Sequence, residues 1–185
     1  MKVNLKSGAI RGVLFQVTWF ATIALASQER AHLAALPGVL YMLLFLASQP
    51  REAHSLTELS LQSSVLWGGG GICLGYLCEF ILISGGVFIP RESSILIVPA
   101  WLLSLWGSIY LLLPSSMAWV LRTPLIAVCF GALGAPMSYL AGARMGAMHL
   151  GGDEFIVGLY TGLAWGVTMG FTSLVWRAFN KEVGL

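Results

Sequence analysis

A chain of 185 residues with 57% apolar and 10% charged side chains carries too little charge for an ordinary soluble domain, where roughly 25% is usual. A net charge of +2 gives no reason to invoke nucleic acid, whose binding needs a basic patch on a soluble face. No segment alternates apolar and polar residues as the strands of a closed barrel do, so the composition points to an all-α membrane protein.

Long uncharged runs near the ~20 residues that span a bilayer predict six transmembrane helices. The first is expected over Ile10–Ser27. Lys2, Lys6 and Arg11 ahead of it and Ala24-Leu25-Ala26 at its end also fit a cleaved secretory signal, whereas Gln16 and Trp19 fit a retained, packed helix better. The second helix is expected over Ala31–Ser48, followed by a polar linker, Gln49 to Ser64, with Arg51, Glu52, His54 and Glu58. The third runs over Val65–Ile89 and contains Glu79; the fourth covers Ile95–Leu113, the fifth Thr123–Ala143 and the sixth Phe155–Trp176. Connections are short, so residues 1–185 form a single polytopic membrane domain, one compact bundle.

Basic residues set its orientation. Lys2, Lys6, Arg11, Arg51, Arg122, Arg177 and Lys181 fall on one side and Arg30, Arg91 and Arg144 on the other, which predicts both termini in the cytoplasm. Cys73, Cys78 and Cys129 lie in the spans, where free cysteine behaves as a small hydrophobe. His32, His54 and His149 sit singly, so no metal or other cofactor is indicated.

Small residues predict how the helices meet, because close backbone approach is a main source of attraction between helices in lipid. Gly134, Ser138, Gly142 and Gly146 recur every four residues, as do Gly158, Gly162, Gly166 and Gly170, so each set makes one smooth face. The fifth and sixth helices are therefore expected as a tight antiparallel hairpin with those faces turned inward, against each other or against a third helix. Gly71, Gly75 and Glu79 repeat the spacing in the third helix. A carboxyl within a span costs about 2.5–3.5 kcal/mol on insertion scales, so Glu79 is expected inside the bundle, either as a structural acid or as a proton, ion or substrate site.

Ser138 and Tyr139 lie five or six residues below Arg144, roughly 8–9 Å at the helical rise and near the expected depth of Glu79. Glu79, Ser138, Tyr139 and Arg144, with Gln16 of the first helix, form the candidate polar or substrate site. Pro136 removes one backbone bond beside it. Arg144 also reads as a side chain snorkelling to the headgroups. Trp101, Trp119 and Trp176 are expected in an aromatic belt. Trp67, Trp106 and Trp165 each precede a glycine, and no stronger internal repeat is evident.

At FQVTW, Phe15 to Trp19, and at G-x-P-x-S-Y-x-x-G-x-R-x-G, Gly134 to Gly146, the chain resembles domain-of-unknown-function family 2878, small bacterial inner-membrane proteins. The resemblance covers nearly the whole chain. It implies a multi-helix protein without an assigned activity, with an acid in the third helix corresponding to Glu79. Some members are encoded beside fatty-acyl modifying genes, which implies a role connected with lipid.

Three functions follow in order. The first is binding or transport of a small amphiphile or membrane lipid through the Glu79 cluster. The second is an accessory or scaffold subunit docking a lipid-modifying membrane partner through glycine faces. A membrane-embedded lipid enzyme ranks last: the spans hold one acid and no histidine, short of the convergent acid, base and nucleophile that catalysis asks for.

Overall fold

The computed structural model describes residues 8–28, 31–50, 60–91 and 97–182. Lys2, Lys6, Arg30 and Arg51 of the charge count, Glu52, His54 and Glu58 of the linker, and the side chain of Lys181 lie outside the described residues. In chain order the elements are α1 (Gly8–Ala26), α2 (Leu36–Ala47), α3 (Leu61–Ser84), β1 (Phe88–Pro90), α4 (Ala100–Ser116), α5 (Pro124–Arg144), β2 (Met148–Leu150) and α6 (Glu154–Glu182). Short 3-10 turns, Ala31–Leu33 and Val120–Arg122, precede α2 and α5.

Four helices, α1, α3, α5 and α6, are long and apolar enough to cross a membrane. The other two expected spans are shorter, 12 residues in α2 and 17 in α4. A 3-10 turn takes up the start of the second apolar run, and extended Pro99 delays the fourth helix to Ala100. The bundle sets a scatter of buried polar side chains within an apolar core and turns further apolar side chains outward. Thr22, Ser64, Glu79, Ser104, Ser108, Thr161, Thr168, Thr172 and Ser173 are buried. Val13, Leu40, Leu66, Leu133, Phe155 and Val167 stand exposed. In water that arrangement would be costly, whereas lipid solvates the apolar rim and leaves the hydroxyls to bond inside, as Thr161 does to Val157 O at 2.8 Å.

Helix α4 is the axis of the fold, buried on nearly all sides. Gly38 of α2 packs against Ser104, and Gly71 and Gly75 of α3 against the rings of Tyr110 and Trp106. The small-residue face of α3 thus receives the aromatic side chains of α4. In the α5–α6 hairpin, Gly158, Gly162, Gly166 and Gly170 lie against Val128, Ala132 and Pro136. The α5 row, expected to meet α6 or a third helix, does not meet α6. Gly134 has open space beside it, Gly142 faces Met148 and Ile23, and Gly146 is a corner residue. Instead α5 offers a ridge of side chains, Val128, Ala132 and Pro136, to the groove on α6. Gly131, flush with the backbone of Trp165, allows the closest approach.

The third helix stops at Ser84 rather than Ile89, and the reason exposes a repeat. Gly86 (φ 69°) and Gly146 (φ 86°) adopt the left-handed conformation that ends α3 and α5. The closing bonds match, Val87 N to Leu82 O at 2.9 Å and Ala147 N to Gly142 O at 3.0 Å. Each corner feeds a strand, and the strands pair antiparallel as Phe88↔Leu150, Ile89↔His149 and Pro90↔Met148. Residues sixty positions apart are equivalent from α3 and α5 through the strands, so Ile89 pairs with its own counterpart. Both units repeat the order helix–strand–helix, and their α3–β1 and α5–β2 portions are related by an approximate two-fold axis through the strand pair. Both α3 and α5 run toward the strands, which makes the axis parallel to the helices. Their asymmetry lies in what covers them: α1 and α2 pack on α4, whereas Phe155, Leu159, Leu163, Val167 and Phe171 of α6 face outward.

Candidate functional site

Glu79 lies on α3, seven residues before Gly86, and Tyr139 on α5, seven before Gly146. As equivalent positions they meet at the axis, where the Tyr139 hydroxyl donates to Glu79 Oε1. Trp106 Nε1 donates to the same oxygen at 2.7 Å. Trp165 Nε1, from the corresponding part of α6, donates to the Tyr139 oxygen at 3.1 Å. The two indoles stack with centroids 4.0 Å apart, and Phe88 meets the Tyr139 ring edge-on. Three donors therefore converge along one short chain that ends on the carboxyl. Glu79 is 0% exposed, and its Oε2 has no hydrogen-bond partner.

A cavity of about 310 Å³ adjoins this cluster. Phe15, Gln16, Trp19 and Ile23 of α1 form one wall; Gly134, Met137 and Ser138 of α5 form the other. Trp101, Trp106 and Glu79 border its closed end. Helices α1 and α5 each find their packing elsewhere, α1 on α2 and α4, α5 on α6. The space between them is consequently a cleft. Gln16, Met137 and Ser138 at its rim are exposed, so it opens sideways between two apolar helix surfaces. A second, more apolar groove shares Phe15, Gln16, Ile109 and Phe130 with the cavity. It follows α1 to Ala9 and Met117, away from the strands.

Among the residues expected to act together, Glu79 and Tyr139 are hydrogen-bonded, and Gln16 and Ser138 stand at the rim of the same cavity. Arg144 lies outside it. Its side chain, 71% exposed, pairs with Glu154 at 3.0 Å across the α5–α6 turn. Trp101, expected at the membrane boundary, is 1% exposed at the closed end, and its Nε1 lacks a partner. Trp119 is exposed, and Trp176 packs edge-on against Trp67. Trp101, Trp106 and Trp165 are the site residues that sequence reasoning missed. The signal available for two of them was the Trp-Gly pair: Gly107 lets α4 meet Met42 and Ile72, and Gly166 lets α6 meet α5, while each preceding indole turns inward. Among the described residues no three His, Cys, Asp or Glu side chains gather to hold a metal ion.

Residues 9–171 match the family described as Protein of unknown function (DUF2878). The chain belongs to that family. The matched stretch takes in every residue of the cluster, from Gln16 to Trp165, and both corner glycines. No curated protein and no solved structure matches the chain.

Proposed function

We propose that this family member is a membrane amphiphile-binding protein that admits its ligand sideways from lipid through the α1–α5 cleft. The observation that carries the reading is the junction of two environments: a buried, half-satisfied carboxyl at the closed end, and an apolar groove leading from it along α1. A molecule with one polar end and one apolar tail matches both, and small-molecule sites generally combine an apolar lining with a few convergent polar groups. Loading the cleft is also the first step that transport of an amphiphile would need.

In the same reading the six helices form one domain of the inner membrane, with α2 and α4 held by their neighbours. The end holding Arg11, Arg122 and Arg177 faces the cytoplasm, and the strand pair faces away from it. Reporter fusions in the loop before α3 and after α6 test this; a reporter active only outside after α6 would reverse it.

Gly134→Leu tests the cleft directly, because a Cβ there meets nothing within 4 Å and the larger side chain would occupy the opening. The expected result is loss of co-purifying amphiphile, measured by native mass spectrometry, with an unchanged melting temperature. Equal occupancy in the variant and the parent would rule the cleft out. In cells, Glu79→Gln should accumulate normally yet fail to complement a deletion. A stable, fully complementing Gln variant would favour the scaffold role instead.

A further inference from the structure

The ligand's polar end can be specified from what the cavity lacks. Glu79 Oε1 already accepts from Trp106 and Tyr139, the donor set that an ionised carboxyl takes. Oε2 is equally buried and accepts from nothing. Among the described residues no Arg, Lys or His borders the cavity. A buried carboxylate without a counter-charge is expensive, and intramembrane acids ordinarily have a partner. The same cavity is lined by Trp19, Trp101 and Tyr139 beside the stacked Trp106–Trp165 pair. Aromatic faces attract cations electrostatically, more strongly where water is excluded.

We propose that the ligand is a cationic amphiphile whose ammonium group donates to Glu79 Oε2 within this aromatic enclosure while its apolar tail follows the groove along α1. This rests on the cleft being an amphiphile site and specifies its chemistry. An anionic head would meet a like charge, and a neutral hydroxyl would supply a single hydrogen bond without compensating the carboxylate. Trp101 Nε1, a buried donor without a partner on the same wall, asks in addition for an acceptor atom near the ammonium, as a hydroxyl or ester oxygen beside the amine would provide.

The test uses the full chain in lipid nanodiscs and three probes of equal chain length, each brominated a few carbons from the head group so that the bromine lies beside the cavity tryptophans: dodecylammonium, dodecanol and dodecanoate. Quenching of tryptophan fluorescence reports occupancy. Dodecylammonium should bind at least about tenfold more tightly than the other two, the scale of a desolvated cation–aromatic contact plus a charge-assisted hydrogen bond. In Glu79→Gln that preference should vanish while dodecanol affinity stays the same. Equal affinity for all three probes in the parent protein would overturn the cationic assignment and leave the amphiphile cleft standing. Absence of quenching by any probe would remove both. The comparison of probes on the parent protein needs no variant, so a misfolded Gln protein would not obscure the answer.

Discussion

The two halves of this bundle share a backbone plan and differ in what they do with it. In α3–β1–α4 the central position is an acid, Glu79, and the outer face of α4 is covered by α1 and α2. In α5–β2–α6 the equivalent position is a phenol, Tyr139, and α6 faces outward. The pairing of acid with phenol is possible because the two positions meet; two ionised glutamates there would repel, and two tyrosines would bring no carboxyl. Symmetry supplies the meeting point, and the departure from symmetry supplies the chemistry.

The largest effect should come from the equivalent glycines. Gly131→Leu forces a side chain into the Trp165 backbone, which has no rotamer to give, and should cost about 3 kcal/mol or more, seen as failure to accumulate in the membrane. Gly71→Leu meets the Cβ and Cγ of Tyr110, a side chain rather than backbone, so a smaller loss of about 1–3 kcal/mol in thermal unfolding is expected. If the two variants behave alike, the halves are packed more similarly than the side chains indicate.

Tyr139→Phe removes the donor to Glu79 and the acceptor for Trp165 together, leaving two buried polar groups short of a partner. A loss of about 1–3 kcal/mol is expected from thermal unfolding in nanodiscs. Trp106→Phe and Trp165→Phe sharpen the comparison further, because each removes the same indole volume. Trp106 bonds the carboxyl itself and Trp165 only the phenol, so Trp106→Phe should be the more destabilising by about 1 kcal/mol. At the smallest end, Arg144→Ala breaks an exposed ion pair whose counterpart position in the other half is Ser84, and should shift stability by less than about 1 kcal/mol.

Much of this was legible in the residues. Glycine spacing identified the α6 face that meets α5 and the α3 face that meets α4, and the lone intramembrane acid pointed into the bundle. The centrality of α4 was not legible: it is mostly apolar with a few serines, and hydropathy alone does not distinguish a side chain that faces lipid from one that faces protein. The repeat was hidden as well. Between residues 61–90 and 121–150 only Leu61/Leu121, Gly71/Gly131 and Gly86/Gly146 coincide, so the common backbone rests on two critical glycines amid free variation elsewhere. The strand pair joins loops sixty residues apart by three-residue segments, too short to leave a periodic trace. Arg144 lay within reach of the cluster by helical rise, but rise measures depth and says nothing about azimuth.

The strand pair has a kinetic consequence. Met148 of β2 lines the cavity and Phe88 of β1 braces Tyr139, so the end of the bundle nearest the strands is roofed by backbone hydrogen bonds that a departing molecule would have to break. The sideways route proposed for an amphiphile runs between side chains of α1 and α5. Residence time in the cleft should therefore track bilayer viscosity and lateral pressure, lengthening in gel-phase lipid, and should be nearly indifferent to the composition of the water beyond the roof.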